Sequence, residues 1–387
     1  MHRPDHVTAK ANFDGLGHNG YQGRNPTLGI PATIVTVDQG NEFSEGLSRL
    51  CEEAGLTLVK GDYNQIKDAV RLLGGQTLGL DVKNLFINGS FRFWQRWQSV
   101  TLNGAIDITA SRWKVHTGTG GVGTISKQTF APGAAPHVSL GESYLQWAQT
   151  TGGTGVRMEQ RLESMEELDG QNLTEGFWLR VTSGTLSLTP RLAQDFGAGG
   201  SATVVVTGTP ITVTTTWTRF KNVFAVPSIS GKTLGAGRFT ALGFTAPDGA
   251  TFTLQVAGAQ ANLGSLDLPF QRVSDAIDYL RLSRFEWKTY AVDVDPSTVT
   301  TVGCLCGDDT GVQCESMNTP FPVPMRTTPA ITYFAPHTGA VGSIERPIGS
   351  ASVVNSTSFN SEKQTGAAVT AVSSGIYRAH AFYDAEL

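Results

Sequence analysis

The stretch NLFINGSFRFWQRWQSVTLNGAIDITASRWKVHTGTG, residues 84–120, constrains the chain most. Apolar and polar residues alternate along it, and Phe93, Trp94, Trp97 and Trp113 all fall inside it. A period of two belongs to a strand, whose successive side chains point to opposite faces. The run therefore reads as the opening strands of a β-structure, with what precedes it serving attachment. The same alternation returns at Phe177, Leu179 and Val181, at Val204 and Val206, and at Ile211 and Val213. Phe252, Leu254 and Val256 make one further apolar face, with Thr251, Thr253 and Gln255 on the other. Turn-forming clusters at 197–201, 228–231 and 247–249 separate these runs at the spacing of short antiparallel strands. Composition agrees: 45 of the 387 residues are Gly and only 16% are charged, too few for many surface helices. Two sheets stacked face to face would bury one set of side chains and expose the other.

Several function classes are excluded by charge and hydropathy. The formal net charge is -4 with no basic run, so the footprint of a nucleic-acid binder is missing. No stretch approaches the roughly 20 apolar residues of a membrane span, and the first residues lack the apolar core of a signal peptide. Residues 1–36 hold little apolar periodicity and read as an extended arm ordered by a partner. Two short helices are expected over residues 37–80. Thr36 and Gln39 form a capping box before Phe43, Leu47, Leu50, Cys51 and Ala54, with Gly55 as the C-terminal cap. Asp62 and Gln65 start the second, whose face is Tyr63, Ile66, Val70 and Leu73. Helices this short are marginal alone in water, so the pair needs partners, from each other or from further copies of the chain.

No catalytic signature is present: no G-x-S-x-G, H-E-x-x-H, P-loop or dinucleotide fingerprint. GTGGVG at 118–123 reads as a loop. The densest carboxylates are Glu159, Glu163, Glu166, Glu167 and Asp169. Glu163 with Glu166 or Glu167 has the residue types of a glycosidase pair, but the interleaved Arg157 and Arg161 favour an ion-paired surface segment. Cys304, Cys306 and Cys314 lack the paired C-x-x-C knuckles of a zinc site, and His337 is a lone later candidate, so reduced structural thiols are expected, Cys51 included. His116 and His137 are read as surface imidazoles. No cofactor or metal is called for, although Asp107 or Asp169 has the chemistry for a structural calcium.

Residues 29–73, with GIPATIVTVDQG, a helix, AGLTL and a second helix, resemble the N-terminal segment of tail-fibre and minor structural proteins of tailed bacteriophages. The usual Trp-Leu-Asn triplet is missing at 37–41. NLFINGSFRFWQRW and the later ASRW are similar to the opening of a carbohydrate-binding-module-like jelly roll in phage tail proteins. MEQRLES, LDGQNLTEGFWLRVTSG, QDFGAGGSATV, TTTWTRFKNVFAVPSISGKTLG and VAGAQANLGSLDLPFQR follow in that family's order. SDAIDYLRLSRFEWKTY, helix-like at Ile277, Leu280, Arg281 and Phe285, together with FPVPMRTTPAITYF and FYDAEL, resembles the β-domain after it; its Pro-rich start, 321–329, is expected to join a sheet from an edge.

The expectation is a mainly β chain: a jelly-roll β-sandwich with a short N-terminal helix pair and a smaller C-terminal β-domain. Its segments are an arm (1–36), a helix pair (37–80), the jelly roll (84–272) and the C-terminal β-domain (273–387). The resemblance implies a non-enzymatic virion protein, a tail fibre or receptor-binding protein adhering to host surface polysaccharide. Such a protein joins other virion proteins through its N-terminal region, assembles as a homotrimer in the host cytoplasm, and inserts in no membrane. The alternatives are a head-fibre, collar or decoration protein making protein contacts and, from the enzyme class, a capsule depolymerase. Sugars stack on Trp or Tyr while amides and guanidinium groups take their hydroxyls. The glycan candidates are accordingly Trp97, Trp113, Tyr144 and Trp147 with Arg112 and Gln98, while Trp94, Trp178 and Trp217 read as core.

Overall fold

The alternation of the sequence becomes two stacked antiparallel sheets in the computed structural model, which describes residues 11, 24–34, 37–54, 56–62, 64–70, 84–163, 165–309, 319–346, 350–353, 356–360, 364–369 and 375–386. The chain divides into two compact units, Met1–Asp81 and Val82–Leu387.

In the first unit α1 (Val37–Glu53) is the longer helix, and helical conformation resumes over residues 65–70 (α2). Cys51 and Ala69 are buried, but Phe43, Ile66 and Val70 remain exposed on the helix surfaces. Asp62 takes the backbone N–H of Asn64 at 3.0 Å, as its expected place at a helix start requires. Gln65 instead holds the connecting loop, donating to the Thr57 carbonyl at 2.8 Å and accepting from the Val59 N–H. Thr36, Gly55, Tyr63, Leu73 and most of the expected arm lie outside the described residues.

The second unit is mainly β. Its sandwich strands are β1 (Ser99–Asn103), β2 (Ile106–Ile108), β3 (Trp113–His116), β4 (Val122–Thr129), β5 (Ser143–Thr151), β6 (Arg157–Leu162), β7 (Asn172–Val181), β8 (Leu186–Asp195), β9 (Val204–Thr207), β10 (Ile211–Val213), β11 (Thr218–Ala225), β12 (Phe239–Thr245) and β13 (Phe252–Leu263). One sheet has six strands in the order β1-β4-β5-β13-β7-β11. The other has seven, β10-β8-β12-β6-β3-β2 with β9 paired to β8. The chain passes repeatedly from one sheet to the other, which is jelly-roll topology. Phe177, Leu179 and Val181 of β7 and Leu254 and Val256 of β13 face the seven-stranded sheet, where Met158, Leu192, Leu242 and Phe244 meet them in one core.

Residues 84–98 depart from the expected strand: they contain no strand at all. Asn88 and Phe91 adopt left-handed backbone, with φ of 57° and 54°, which breaks the alternation a strand needs. Their backbone groups are satisfied by side chains instead of a ladder. Gln160 clamps Ile87 with two bonds of 2.8 Å, to its N–H and its carbonyl. Asn84 takes the Ala261 N–H and donates to the Ala259 carbonyl, just past the bulge that interrupts the β7 and β13 pairing between Ala257 and Gln260. Gly89 lies so close that a Cβ there would stand 2.2 Å from the Ala259 carbonyl oxygen. The fully buried Asn88 side chain donates to the Phe93 carbonyl at 2.8 Å and the Ser111 carbonyl at 3.1 Å, and accepts the Phe93 N–H at 3.0 Å. The rings of Phe86, Phe91 and Trp94 thus enter the core from a coil, not from strands.

After the sandwich, α3 (Asp275–Ser283) forms where the helical spacing placed it, and runs into β14 (Glu286–Lys288). Leu282 and Phe285 pack on Ile87 and Phe93, so the helix closes over the irregular segment. The remaining strands are β15 (Leu305–Asp309), β16 (Thr319–Pro320), β17 (Ala330–Phe334), β18 (Ile344–Arg346), β19 (Ser350–Val353), β20 (Ser356–Asn360), β21 (Gln364–Val369) and β22 (Gly375–Asp384). β14, β15, β17 and β18 all pair with β22. β16, β21 and β20 form a separate small sheet. Residues 321–329 hold no strand; Phe321 fills a ring cluster with Trp287 and Tyr383 instead.

Candidate functional site

Alternation on the six-stranded sheet turns one set of side chains away from the core, and these residues make a candidate ligand surface of the second unit. Trp178 and Arg180 on β7 alternate with the buried Phe177, Leu179 and Val181. Tyr144 and Gln146 on β5 alternate with the buried Leu145 and Trp147. Register aligns them: Gln146 lies opposite Gln255 and Gln255 opposite Arg180, while Trp178 lies between Ala257 and Arg219.

The result is an aromatic patch beside a polar row. Tyr144, Trp178 and Trp217 are half-buried, and Phe130 joins them from the end of β4. Tyr144 and Trp217 meet edge to face at 5.7 Å, and Phe130 lies 4.6 Å from Tyr144. Arg180 stands over the Trp217 ring, 5.0 Å from its centroid, and donates to Gln255. Gln255 in turn donates to Gln146 at 2.7 Å. This relay fixes the orientation of both amides and leaves the Gln146 NH2 as its terminal donor. One end of the face is roofed, because Leu140 and Phe270 pack over Ala257. Gly258 permits that roof: at its φ of 53° a Cβ would lie 2.1 Å from Leu140. Rings with exposed apolar area next to fixed amide and guanidinium donors suit a neutral polyhydroxyl ligand.

Of the six candidates read from sequence, Tyr144 lies on this face. Trp113 and Trp147 do not reach any surface: both are fully buried, and their indole N–H groups are spent on the Asn88 carbonyl and on Gln149. Arg112 is buried too. Its guanidinium stacks 3.5 Å from the Phe285 ring centroid and pairs with Glu386. Trp97 and Gln98 stand apart at the start of β1, where the Gln98 N–H donates to Asp295 at 2.8 Å and its side chain to the Trp94 carbonyl. Conversely, Trp178 and Trp217, read as core, are surface residues, and only Trp94 of that set is buried. The signal for Trp178 was in the sequence: if Phe177, Leu179 and Val181 point inward, the residues between them point outward.

The carboxylates divide. Glu163 pairs with Arg284 at 3.1 Å and Glu166 with Arg238, both in exposed surroundings. Glu159, expected on the surface, is instead buried within a group of cations. His116, expected on the surface, is buried beside Glu159, and burial lowers its pKa, while the His137 ring lies 6.2 Å from Trp178, so the two imidazoles serve opposite sheets. Asp107 and Asp169 accept the Ile108 and Ile229 N–H groups. Cys304 and Cys306 place their sulfurs 3.9 Å apart, and Cys314 lies outside the described residues.

No family model matches the chain. A curated protein, the uncharacterized protein StfP of Escherichia coli strain K12, is 38% identical over 73 residues, 19% of this chain and 35% of that protein. The chain thus spans well under half of that relative's length. Among solved structures, the enzymatically active domain of tailspike protein 4 of bacteriophage CBA120 is similar with a TM-score of 0.30 and 16% identity, over 47% of this chain and 22% of that one. The CBM22-1 xylan-binding domain of Paenibacillus barcinonensis Xyn10C is similar with a TM-score of 0.30 and 11% identity, over 43% of this chain and 98% of that one. A family 11 carbohydrate-binding module of Clostridium thermocellum, solved with a mixed-linked tetrasaccharide, gives a TM-score of 0.28 and 14% identity, over 44% and 97% of the two chains.

Proposed function

We propose that the protein is a non-enzymatic adhesion protein of a tailed-phage virion, a tail fibre or receptor-binding protein, whose six-stranded sheet binds neutral host-surface glycan. The observation that carries the binding step is the half-buried group Tyr144, Trp178 and Trp217 beside the Arg180, Gln255 and Gln146 relay. The rings offer stacking area, and the relay offers donors already held in place, so little ordering is lost on binding. The resemblance of residues 29–73 and of the later landmarks to phage tail proteins supports the virion setting. The apolar residues left exposed on α1 and α2 support assembly through the N-terminal region, as a homotrimer. Several weak sugar contacts multiplied over copies supply the adhesion, since avidity exceeds single-site affinity by about 10² to 10⁴.

The test is saturable binding of the full chain to host cells and to a glycan panel, with Trp217→Ala and Tyr144→Ala alongside. Both variants are expected to stay folded by circular dichroism and to lose about tenfold or more in affinity, the worth of one stacked ring. Unchanged binding in both overturns the assignment of this face. Immunogold label on capsid or collar, not on the tail, would replace the tail-fibre role by the head-fibre or decoration role. Loss of polysaccharide viscosity on adding the protein would replace binding by depolymerisation.

A further inference from the structure

The outer face of the other sheet has a different chemistry. Arg157, Glu159 and Arg161 alternate on β6 with the core residues Met158 and Gln160. Register brings Lys114 of β3 opposite Glu159 and His116 opposite Arg157. On the other side Glu159 lies opposite Gly243 of β12, which lies opposite Arg191 of β8. Gly243 leaves the gap through which Arg191 reaches across an entire strand; a Cβ there would stand 2.0 Å from the Met158 carbonyl oxygen. Three guanidinium groups converge on the single carboxylate, Arg157 at 3.1 Å, Arg191 at 3.2 Å and Arg161 at 3.3 Å, with the His116 ring at 3.5 Å. Arg161 is steadied further by the Phe239 ring, 4.1 Å away.

One carboxylate neutralises one cation, so this arrangement holds positive charge in excess. Like charges at this spacing repel, and offsetting the burial of one carboxylate does not require three guanidinium groups. Burial works to raise the Glu159 carboxyl, yet His116, Arg157 and Arg161 together hold it well below the usual carboxylate range. Burial, and then the Arg161 guanidinium, lower the Lys114 ammonium to about 8. The outward residues of β12 between β6 and β8, Ala241, Gly243 and Thr245, carry no charge, and the further carboxylate acting on Lys114, Glu386, is itself paired with Arg112. Glu159 itself is 5% exposed at its side chain, whereas the three arginines keep 19–30%. The carboxylate is therefore a buried pin that orients arginines whose outer edges remain accessible, the second layer of an anion receptor.

We propose that this face binds the oxyanion groups of an acidic polysaccharide, as a site separate from the aromatic face and independent of its reading. Lys114, Glu159, Gly243 and Arg191 lie in one row over four adjacent strands, a span of about 14 Å. That length fits successive charged sugars along a chain and exceeds a single small anion. Guanidinium forks take carboxylate, phosphate or sulfate alike, so the source of the oxyanion is decided by the test.

Calorimetry of the full chain with polygalacturonate, dextran sulfate and neutral xylan is the experiment, each repeated with orthophosphate added at matched ionic strength. Binding to at least one of the two polyanions is expected, weakening with salt, unaffected by Trp217→Ala and only partly reduced by orthophosphate equimolar with the charged sugars. Arg157→Gln with Arg191→Gln is expected to weaken it about tenfold per arginine, the worth of one charge-assisted hydrogen bond, with the fold intact by circular dichroism. Glu159→Gln separates a pinned receptor from a merely positive surface: it adds positive charge, yet is expected to weaken binding because the arginines lose their anchor. Failure of both polyanions to bind, complete displacement by orthophosphate equimolar with the charged sugars, or unchanged affinity in the double arginine variant overturns the proposal. Tighter binding by a folded Glu159→Gln protein overturns the pinning role.

Discussion

Replacing Asn88 by Ala tests whether the irregular segment before β1 is the keystone of the sandwich. The side chain is fully buried and makes three hydrogen bonds, donating to the Phe93 and Ser111 carbonyls and accepting the Phe93 N–H. Removing the amide leaves two buried backbone groups without a partner, the Phe93 N–H and the Ser111 carbonyl, at about 1–3 kcal/mol apiece, while the Phe93 carbonyl keeps the Ser111 N–H. The backbone adds a second cost, because φ is 57° at this residue and a left-handed conformation costs an alanine roughly 1–2 kcal/mol. The bonds made by the Asn88 backbone, from its N–H to Asp278 and from the Trp113 indole to its carbonyl, survive the change. A loss of about 3–8 kcal/mol is expected, comparable with the whole stability of many domains. Asn88→Gly removes the same bonds but not the freedom to adopt positive φ, so it should be the milder variant by about 1 kcal/mol. Urea unfolding followed by the fluorescence of the buried Trp94, Trp113 and Trp147 measures both. A loss under about 1.5 kcal/mol for Asn88→Ala, near the average for any single substitution, or Asn88→Gly proving the worse, would refute the reasoning.

Two carboxyls give stability opposite dependences on pH. Burial alone holds the Glu175 carboxyl well above the usual range, and its Oε2 has no protein partner. Its contribution is therefore full below the unfolded value near 4.3 and lost as pH rises above it. Glu159 is depressed, so its contribution is present above that value and lost as pH falls toward its folded one. Urea midpoints between pH 4 and 8 should fall less steeply with rising pH in Glu175→Gln than in the wild type; identical slopes would show that Glu175 is ionised in the fold. Gly89→Ala places a methyl 2.2 Å from the Ala259 carbonyl oxygen, and is expected to leave no folded second unit by circular dichroism; a native melting transition would show that the β13 bulge yields.

The β class was legible because it rests on period, which local sequence carries. Phe177 to Val181 and Phe252 to Val256 kept the faces that alternation assigned them. The segment 84–98 was misread for the same reason: apolar spacing reports which residues are buried, not which backbone buries them. Its conformation depends on Gln160, 73 positions away from Ile87, and on Ala259 and Ala261, more than 170 positions from Asn84. Trp113 and Trp147 looked like binding residues because tryptophans have polar tips, but those tips serve a buried carbonyl and a buried amide. Trp178 and Trp217 lost their functional reading to the opposite habit of assigning large rings to the core. The pairing of Glu159 with the interleaved Arg157 and Arg161 was legible, but its burial was not, nor was Arg191, which joins from another strand through the space left by Gly243.

The many-sided pairing of β22 bears on how the polypeptide matures as it leaves the ribosome. β14 and β17 meet the same residues of β22, 382–384, from opposite edges, and β15 and β18 both meet Arg378. Arg96 and Arg112, close to the beginning of the sandwich, are likewise held by Asp384 and Glu386. Each of those partners is translated well before the strand that unites them. The sandwich has its own core and can collapse early, whereas β14, β15 and β17 remain without the strand they pair with until residues 375–386 emerge. Translation order thus sets a window in which those edges are exposed, and β22 closes that window.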